Sequence, residues 1–191
     1  MTLKPILAFS QAILNAAVTP GDIVVDCTMG NGHDTLFLAN LVGTQGQVFA
    51  FDIQEDALRH TEQRLTRERI TQVTLIHANH ANLLDHIPPD AHHKIRAAVF
   101  NLGYLPGSDK RICTTAHTTI AALDALLSVM PRGSVISAVV YSGHEQGESE
   151  AAALLTHCRN IPRETANVIV YQILNNPNRP PFVIALEVQK N

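Results

Sequence analysis

Charge is scarce in this chain. Only 16% of its 191 residues are charged and 46% are hydrophobic, where an ordinary soluble domain carries about 25% charged residues. That balance excludes disorder as the dominant state, because so apolar a chain buries enough surface to offset the entropy of ordering. Positive charge is not in excess either. Fourteen Lys and Arg against 17 Asp and Glu leave a formal net charge of −3. A generic polyanion binder is thereby excluded, and any nucleic-acid contact must rest on a local patch. The 10 histidines move the balance toward positive just below neutral pH. Cysteine is sparse: Cys27, Cys113 and Cys158 are odd in number, far apart and outside any C-x-x-C pair. This argues against a disulfide framework and a zinc–thiolate site, so a reducing, cytoplasmic location and no bound metal are expected. Long apolar runs are missing as well. No segment reaches the roughly 18 consecutive apolar residues of a membrane span, and residues 1–18 are interrupted by Gln11 and Asn15. Neither a signal peptide nor a membrane partner is expected. The length suits one domain over residues 1–191 with a sizeable core.

What is present is an alternation of β-rich and helical segments, the signature of βα units around a parallel sheet. Residues 5–18 carry Ile6, Phe9, Ile13 and Leu14 at helical spacing and stop at Pro20-Gly21. Strands are predicted over 23–27, 47–52, 73–77, 97–101 and 134–141, with helices over 34–41, 55–67, 114–129 and 148–159. The last two strands, 168–174 and 182–188, have only seven residues between them. Seven residues cannot hold a crossover helix, so this pair is expected to be antiparallel. Five βα units closed by an antiparallel hairpin resemble the class I S-adenosylmethionine-dependent methyltransferases. The fold class expected is therefore α/β: a single-domain, Rossmann-like methyltransferase fold with a mostly parallel seven-stranded sheet and a C-terminal antiparallel hairpin.

Four segments carry candidate chemistry. The first, Asp26-Cys27-Thr28-Met29-Gly30-Asn31-Gly32-His33-Asp34-Thr35, sits where the first strand turns into a helix. Glycines there let bare backbone approach a ligand, and the helix start offers unpaired N–H groups. A dinucleotide fingerprint would place a small residue where Thr35 stands, which disfavours a pyrophosphate. Asp26 resembles the acidic residue of the methyltransferase first motif, which orients the methionine end of the cofactor. The second is Asp52 at the end of the second strand, about 20 residues beyond the glycines, the place from which an acidic side chain accepts ribose hydroxyls; Gln54 follows. The third is His77-Ala78-Asn79-His80, where Asn79 and His80 would meet the adenine edge. The fourth is Asn101-Leu102-Gly103-Tyr104-Leu105-Pro106-Gly107. It is a variant of the Asn/Asp-Pro-Pro-aromatic motif of amino-methylating enzymes, in which the first residue accepts hydrogen bonds from the target amine and the ring stacks on the base. Asn101 and Tyr104 occupy the matching positions. No G-x-S-x-G elbow is present, against a Ser/His hydrolase.

Taken with Phe51-Asp52-Ile53-Gln54, Tyr141-Ser142-Gly143-His144 and residues 175–181, these motifs resemble the small rRNA-methylase family. Its characterised members act on the wobble uridine of tRNA. The resemblance covers nearly the whole chain. It implies methyl transfer from S-adenosyl-L-methionine to the primary amine of 5-aminomethyl-2-thiouridine. Cofactor contacts are then expected from Asp26, Thr28, Met29, Gly30, Asn31, Gly32, Asp34, Thr35, Asp52, Gln54, Asn79, His80 and Asn101. Catalytic roles fall to Asn101, Tyr104 and His144, with Asp109 behind the last. An alkylamine near pKa 10 is protonated at pH 7 and has no lone pair to attack with, but desolvation lowers its pKa, so a strong base is not obligatory. The tRNA anticodon loop would meet Tyr104, Lys110, Arg111 and Arg179, since phosphate contacts position without reading sequence. The run Arg59, Arg64, Arg67 and Arg69 reads as a solvated helix face. A composite tRNA surface across a homodimer would compensate the net charge. The alternatives are a methyltransferase acting on rRNA or on a small-molecule amine, a nicotinamide-dependent oxidoreductase, and a non-catalytic RNA-binding module.

Overall fold

The structure, a computed structural model, describes residues 2–105, 107, 113–143 and 145–190. Helix α1 (Ile6–Ala17) is followed by β1 (Ile23–Asp26), α2 (His33–Val42), β2 (Gln47–Asp52), α3 (Glu55–Arg67) and β3 (Val73–His77). Two single-turn helices, α4 (Leu83–His86) and α5 (Pro89–His92), lead to β4 (Ile95–Leu102). Then come α6 (Ala116–Val129), β5 (Val135–Val140), α7 (Glu145–Arg159), β6 (Ala166–Tyr171) and β7 (Phe182–Val188). The strands form one seven-stranded sheet in the order β3-β2-β1-β4-β5-β7-β6. The first five pair in parallel, and β7 runs antiparallel to both β5 and β6.

Period-two alternation builds both layers. Val25, Phe49, Phe51, Ala98, Phe100, Ile136 and Ile184 face one way, into a core completed by Leu83 of α4, Leu123 and Leu126 of α6 and Leu154 of α7. Val24, Val48, Ala97 and Val99 face the other way, against Leu14 of α1 and Leu38 and Ala39 of α2. Covered on both faces, β5 is buried at every position, which is why it reads as an unbroken apolar run and not as an alternation.

The predicted sheet, with its terminal antiparallel pair, is the one observed. Several details differ, three of them with a visible cause. Strand β4 begins two residues earlier and ends one later than its apolar run, because Ala97 to Leu102 pair with β5 and Ile23 with Ile95. Strand β6 lies at 166–171, not 168–174, since its register is set by β7 from Ala166–Val188 to Tyr171–Val183. Tyr171 ends it by stacking on Phe9 at 3.9 Å and donating its hydroxyl to the Lys4 carbonyl at 2.8 Å, and Leu174 is left 88% exposed. The segment between β3 and β4, for which no helix is predicted, holds α4, α5 and a half-buried His92 whose Nε2 donates to the Ile87 carbonyl at 2.8 Å.

Candidate active site

Strand order reverses between β1 and β4, so the loops leaving their carboxyl ends part to opposite sides and open a crevice. A cavity of about 1210 Å³ lies there, lined by the loops after β1, β2, β3, β4 and β5 and by Asn178 to Pro181 before β7.

The glycine loop after β1 is the most heavily braced part of its wall. Gly30 and Gly32 have φ of +50° and +76°, a region that favours glycine. A Cβ on Gly32 would stand 2.8 Å from Thr61 Oγ1 and 2.9 Å from its Cγ2. That closeness lets buried Thr61 donate its hydroxyl to the Gly30 carbonyl at 3.1 Å. Arg64 donates Nε to the Asn31 carbonyl at 2.8 Å, and His60 Nδ1 lies 3.2 Å from Asn31 Oδ1. From β2, Asp52 Oδ2 accepts the Gly30 amide and Oδ1 the Gln54 amide, each at 3.0 Å. Burial raises the Asp52 carboxyl above its ordinary value, against the pull of the Gln54 and Gly30 amides. Arg64 thus leaves the expected solvated face to hold the loop, while Arg59, Arg67 and Arg69 remain exposed.

Asp26 lies behind the wall. It is 1% exposed and accepts the Thr35 hydroxyl at 2.7 Å and the Thr28 amide at 3.1 Å. Burial, reinforced by the nearby charge of Asp34, pushes its carboxyl up to about 7, against the Thr35 and Thr28 bonds. Asp26, Gly32 and Thr35 do not line the cavity, whereas Thr28, Met29, Gly30, Asn31 and Asp34 do.

After β3, Asn79 Oδ1 accepts the Ala81 amide at 2.9 Å and fixes the turn that carries His80. His80 is buried against Phe100, ring centroids 5.6 Å apart, with Nδ1 3.0 Å from the Cys27 carbonyl. Burial lowers its pKa to about 4, partly opposed by that carbonyl. The neutral ring donates from Nδ1, which leaves Nε2 a bare acceptor. Nε2 is buried and has no partner among the described residues.

At the end of β4, the Asn101 amide N–H donates to Thr28 Oγ1 at 2.7 Å, and Nδ2 donates to Asp34 Oδ2 at 3.1 Å. The carboxylate fixes the sense of the side-chain amide, so Oδ1 stands as the acceptor. Tyr104 and Tyr141 border the same end, 38% and 37% exposed. Burial, then the charge of Asp34, raises the Tyr141 hydroxyl above its ordinary value. The loop after β4 is clamped where it rejoins the fold. Gly103 N–H donates to Thr114 Oγ1 and Thr114 N–H to the Gly103 carbonyl, both at 2.9 Å. Thr114 and Thr119 donate their hydroxyls to the two oxygens of buried Glu150 at 2.7 and 3.0 Å. Arg179 lines the cavity and pairs with Glu148 at 2.8 Å.

The fold therefore gathers Thr28, Met29, Gly30, Asn31, Asp34, Asp52, Gln54, Asn79, His80, Asn101, Tyr104 and Arg179 around one cavity. Asp109, Lys110, Arg111 and His144 lie outside the described residues. Tyr141, Thr114 and Thr118 line the cavity without having been singled out as site residues. Tyr141 was legible from its place at the end of β5, but Thr114 had no local signal, since its role comes from Glu150 36 residues away. Among the described residues no three His, Cys, Asp or Glu gather as a metal site, and no helix is long and apolar enough to cross a membrane.

Comparison with known proteins adds to this picture. The family described as "Putative rRNA methylase" matches residues 48–187. A chloroplastic tRNA (mnm(5)s(2)U34)-methyltransferase of Arabidopsis thaliana is 34% identical over 183 residues, which cover 91% of this chain and 66% of that protein. The chain thus spans just under two thirds of that relative's length. The crystal structure of a "putative rRNA-methylase" from Clostridium thermocellum superposes with a TM-score of 0.94 at 37% identity, over 98% of this chain and 100% of that one. A "putative methyltransferase" from Streptococcus mutans, solved in complex with SAH, gives 0.88 at 34% identity, over 98% and 99%.

Proposed function

This chain belongs to the family described as "Putative rRNA methylase", and from that premise we propose that it is an S-adenosylmethionine-dependent N-methyltransferase. Its substrate on this reading is the aminomethyl group of 5-aminomethyl-2-thiouridine at the wobble position of tRNA. The observation that carries the reading is Asn101. It stands at the carboxyl end of β4 beside the switch point, with Nδ2 engaged by Asp34 and Oδ1 left as an acceptor for a target amine. The similarity to the chloroplastic enzyme supports the substrate.

The residues present fit the cofactor. Asp52 retains a second lone pair on each oxygen for ribose hydroxyls after taking its two backbone amides. The unpartnered Nε2 of His80 suits the exocyclic amine of an adenine, alongside Asn79 and Gln54. Thr28, Met29, Gly30 and Asn31 form one wall of the cavity, and Asp26, Thr35 and Gly32 hold that wall in place from behind. Bound S-adenosylmethionine supplies an electrophilic methyl group and leaves as S-adenosylhomocysteine.

The chain's own part is to present the nucleophile. Asn101 Oδ1 aligns an N–H of the deprotonated amine so that its lone pair faces the methyl group. Tyr104 offers its ring to the uracil. The amine gives up one proton in exchange for the methyl; His144 and Asp109 are the sequence-level candidates to receive it. Lys110, Arg111 and Arg179 would hold phosphates of the anticodon loop. The whole chain acts as one domain on this reading, in the cytoplasm, as a homodimer whose two surfaces share the tRNA; sedimentation as a pure monomer would overturn the dimer.

The test is mass spectrometry of wobble nucleosides from tRNA lacking the final methyl, after incubation with the protein and S-adenosylmethionine. The expected result is one methyl gained on 5-aminomethyl-2-thiouridine. No gain, with S-adenosylhomocysteine still bound, would move the substrate to rRNA or a small amine.

A further inference from the structure

We propose that Asp34 is the receptor for the substrate's ammonium group, so that the site selects a cationic aliphatic amine over the neutral exocyclic amine of a nucleobase. The assignment rests on the methyltransferase reading above. It gives Asp34 a role toward the substrate where the glycine motif alone suggested the cofactor.

The contact between Asn101 Nδ2 and Asp34 Oδ2, 3.1 Å, joins a residue of α2 to the last turn of β4. It uses the only donor group of the Asn101 side chain and one of the two carboxylate oxygens. Asn101 Oδ1 and Asp34 Oδ1 are then left as acceptors, on two residues that both line the cavity. A nucleobase amine is neutral and offers two N–H donors. A protonated alkylamine is cationic and offers three, and losing water on entry costs it heavily unless an opposite charge meets it. Asp34 supplies that charge. No Lys, Arg or His among the described residues forms an ion pair with it. Its charge is felt by its neighbours, raising Asp26 behind it and Tyr141 beside it. The other carboxylate on the wall, Asp52, is tied to the Gly30 and Gln54 amides at the β2 end and is placed for the cofactor. After the ammonium gives one proton to solvent, its two remaining N–H groups match Asn101 Oδ1 and the Asp34 carboxylate, and its lone pair is free for the methyl group.

The experiment measures binding of two anticodon stem-loops in the presence of S-adenosylhomocysteine, one carrying 5-aminomethyluridine and the other the uncharged 5-hydroxymethyluridine. The wild-type protein is expected to favour the aminomethyl RNA by about tenfold or more, the size of one charge-assisted hydrogen bond. Asp34→Asn is expected to lose that preference while its affinity for S-adenosylhomocysteine stays within about twofold. Equal binding of the two RNAs by wild-type protein that methylates aminomethyl tRNA overturns the assignment, and does so without any variant having to fold. A variant that keeps the preference but loses S-adenosylhomocysteine binding also overturns it, and moves Asp34 to the cofactor's own ammonium. Wild-type protein that methylates no aminomethyl tRNA overturns both this assignment and the wobble-uridine reading.

Discussion

At the end of the cavity made by β1 and β2, almost every polar group is held by a partner from another element: Asp52 by two backbone amides, the Gly30 carbonyl by Thr61, the Asn31 carbonyl by Arg64. At the end made by β4 and β5, Tyr104 and Tyr141 stand more than a third exposed, and Arg179 is engaged in an exposed pair with Glu148. The contrast matches the two tasks of the proposed function. A small ligand of fixed shape rewards preorganisation, because each group already in place saves ordering entropy on binding. A macromolecular substrate needs an open mouth with a few fixed acceptors inside it. Asn101 joins the two ends, since it stands near the end of β4 while its backbone amide and its side chain bond Thr28 and Asp34 of the segment after β1.

The sharpest way to separate the two ends is Asn101→Ala. Methyl transfer should fall by about 10²–10³-fold through lost alignment of the amine, while calorimetry should find S-adenosylhomocysteine binding largely kept; loss of both would mean the ends are one unit. Next in size is Gly32→Ala. The added Cβ meets Thr61 at 2.8 Å and the backbone sits at φ +76°, so a loss of roughly 2–4 kcal/mol in denaturant unfolding is expected, together with cofactor binding. On the open side, Glu150→Gln leaves the Thr114 or Thr119 hydroxyl without its acceptor. A cost of about 1–2 kcal/mol and a raised KM for tRNA should follow, with S-adenosylhomocysteine affinity unchanged.

The buried backing of the braced end is probed by pH. Asp26 has a folded-state pKa of about 7 against an ordinary 3.8, so between these values the folded chain holds a proton that the unfolded chain has released. Its contribution to stability is fully present below about 4 and is lost as pH rises through about 7. Melting temperatures should drop across that window for the wild type. Asp26→Asn, which mimics the protonated acid between Thr28 and Thr35, should flatten the profile. Smallest of all is Arg179→Ala, a rise of a few fold in KM for tRNA that vanishes at high salt, since its exposed pair with Glu148 and any phosphate contact are screened alike.

Strands β2, β3 and β7 and helix α3 could be read to the residue, because local pattern and tertiary packing agree there: Val48 to Phe51 is one apolar run inside β2, flanked by Gly46 and by the helix start at Glu55. Where they diverge, reading fails. Ile173 and Leu174 are as apolar as strand residues, but β7 pairs with nothing beyond Tyr171. The site was legible in the same uneven way. Thr28, Gly30, Asp52, His80 and Asn101 follow from standing at carboxyl ends of strands in an open α/β sheet. The bracing by Thr61 and Arg64 and the clamp by Thr114 and Glu150 involve partners 31 to 36 residues apart, and no local pattern encodes such pairings.

The sequence by itself determined the alternation of strands and helices, the antiparallel close and the chemical character of each loop, since these rest on periodicity, turn residues and side-chain type. Only the tertiary structure decided which acid faces the cavity. Asp26 and Asp34 are eight positions apart in one motif, yet one is 1% exposed behind Thr28 and Thr35 and the other lines the cavity against Asn101. Between them the chain turns through Gly30 and Gly32, both at positive φ, and the first carboxylate is held by Thr28 and Thr35 while the second accepts from Asn101. Which side of a turn faces the ligand is set by what packs against it, and that is a property of the assembled sheet.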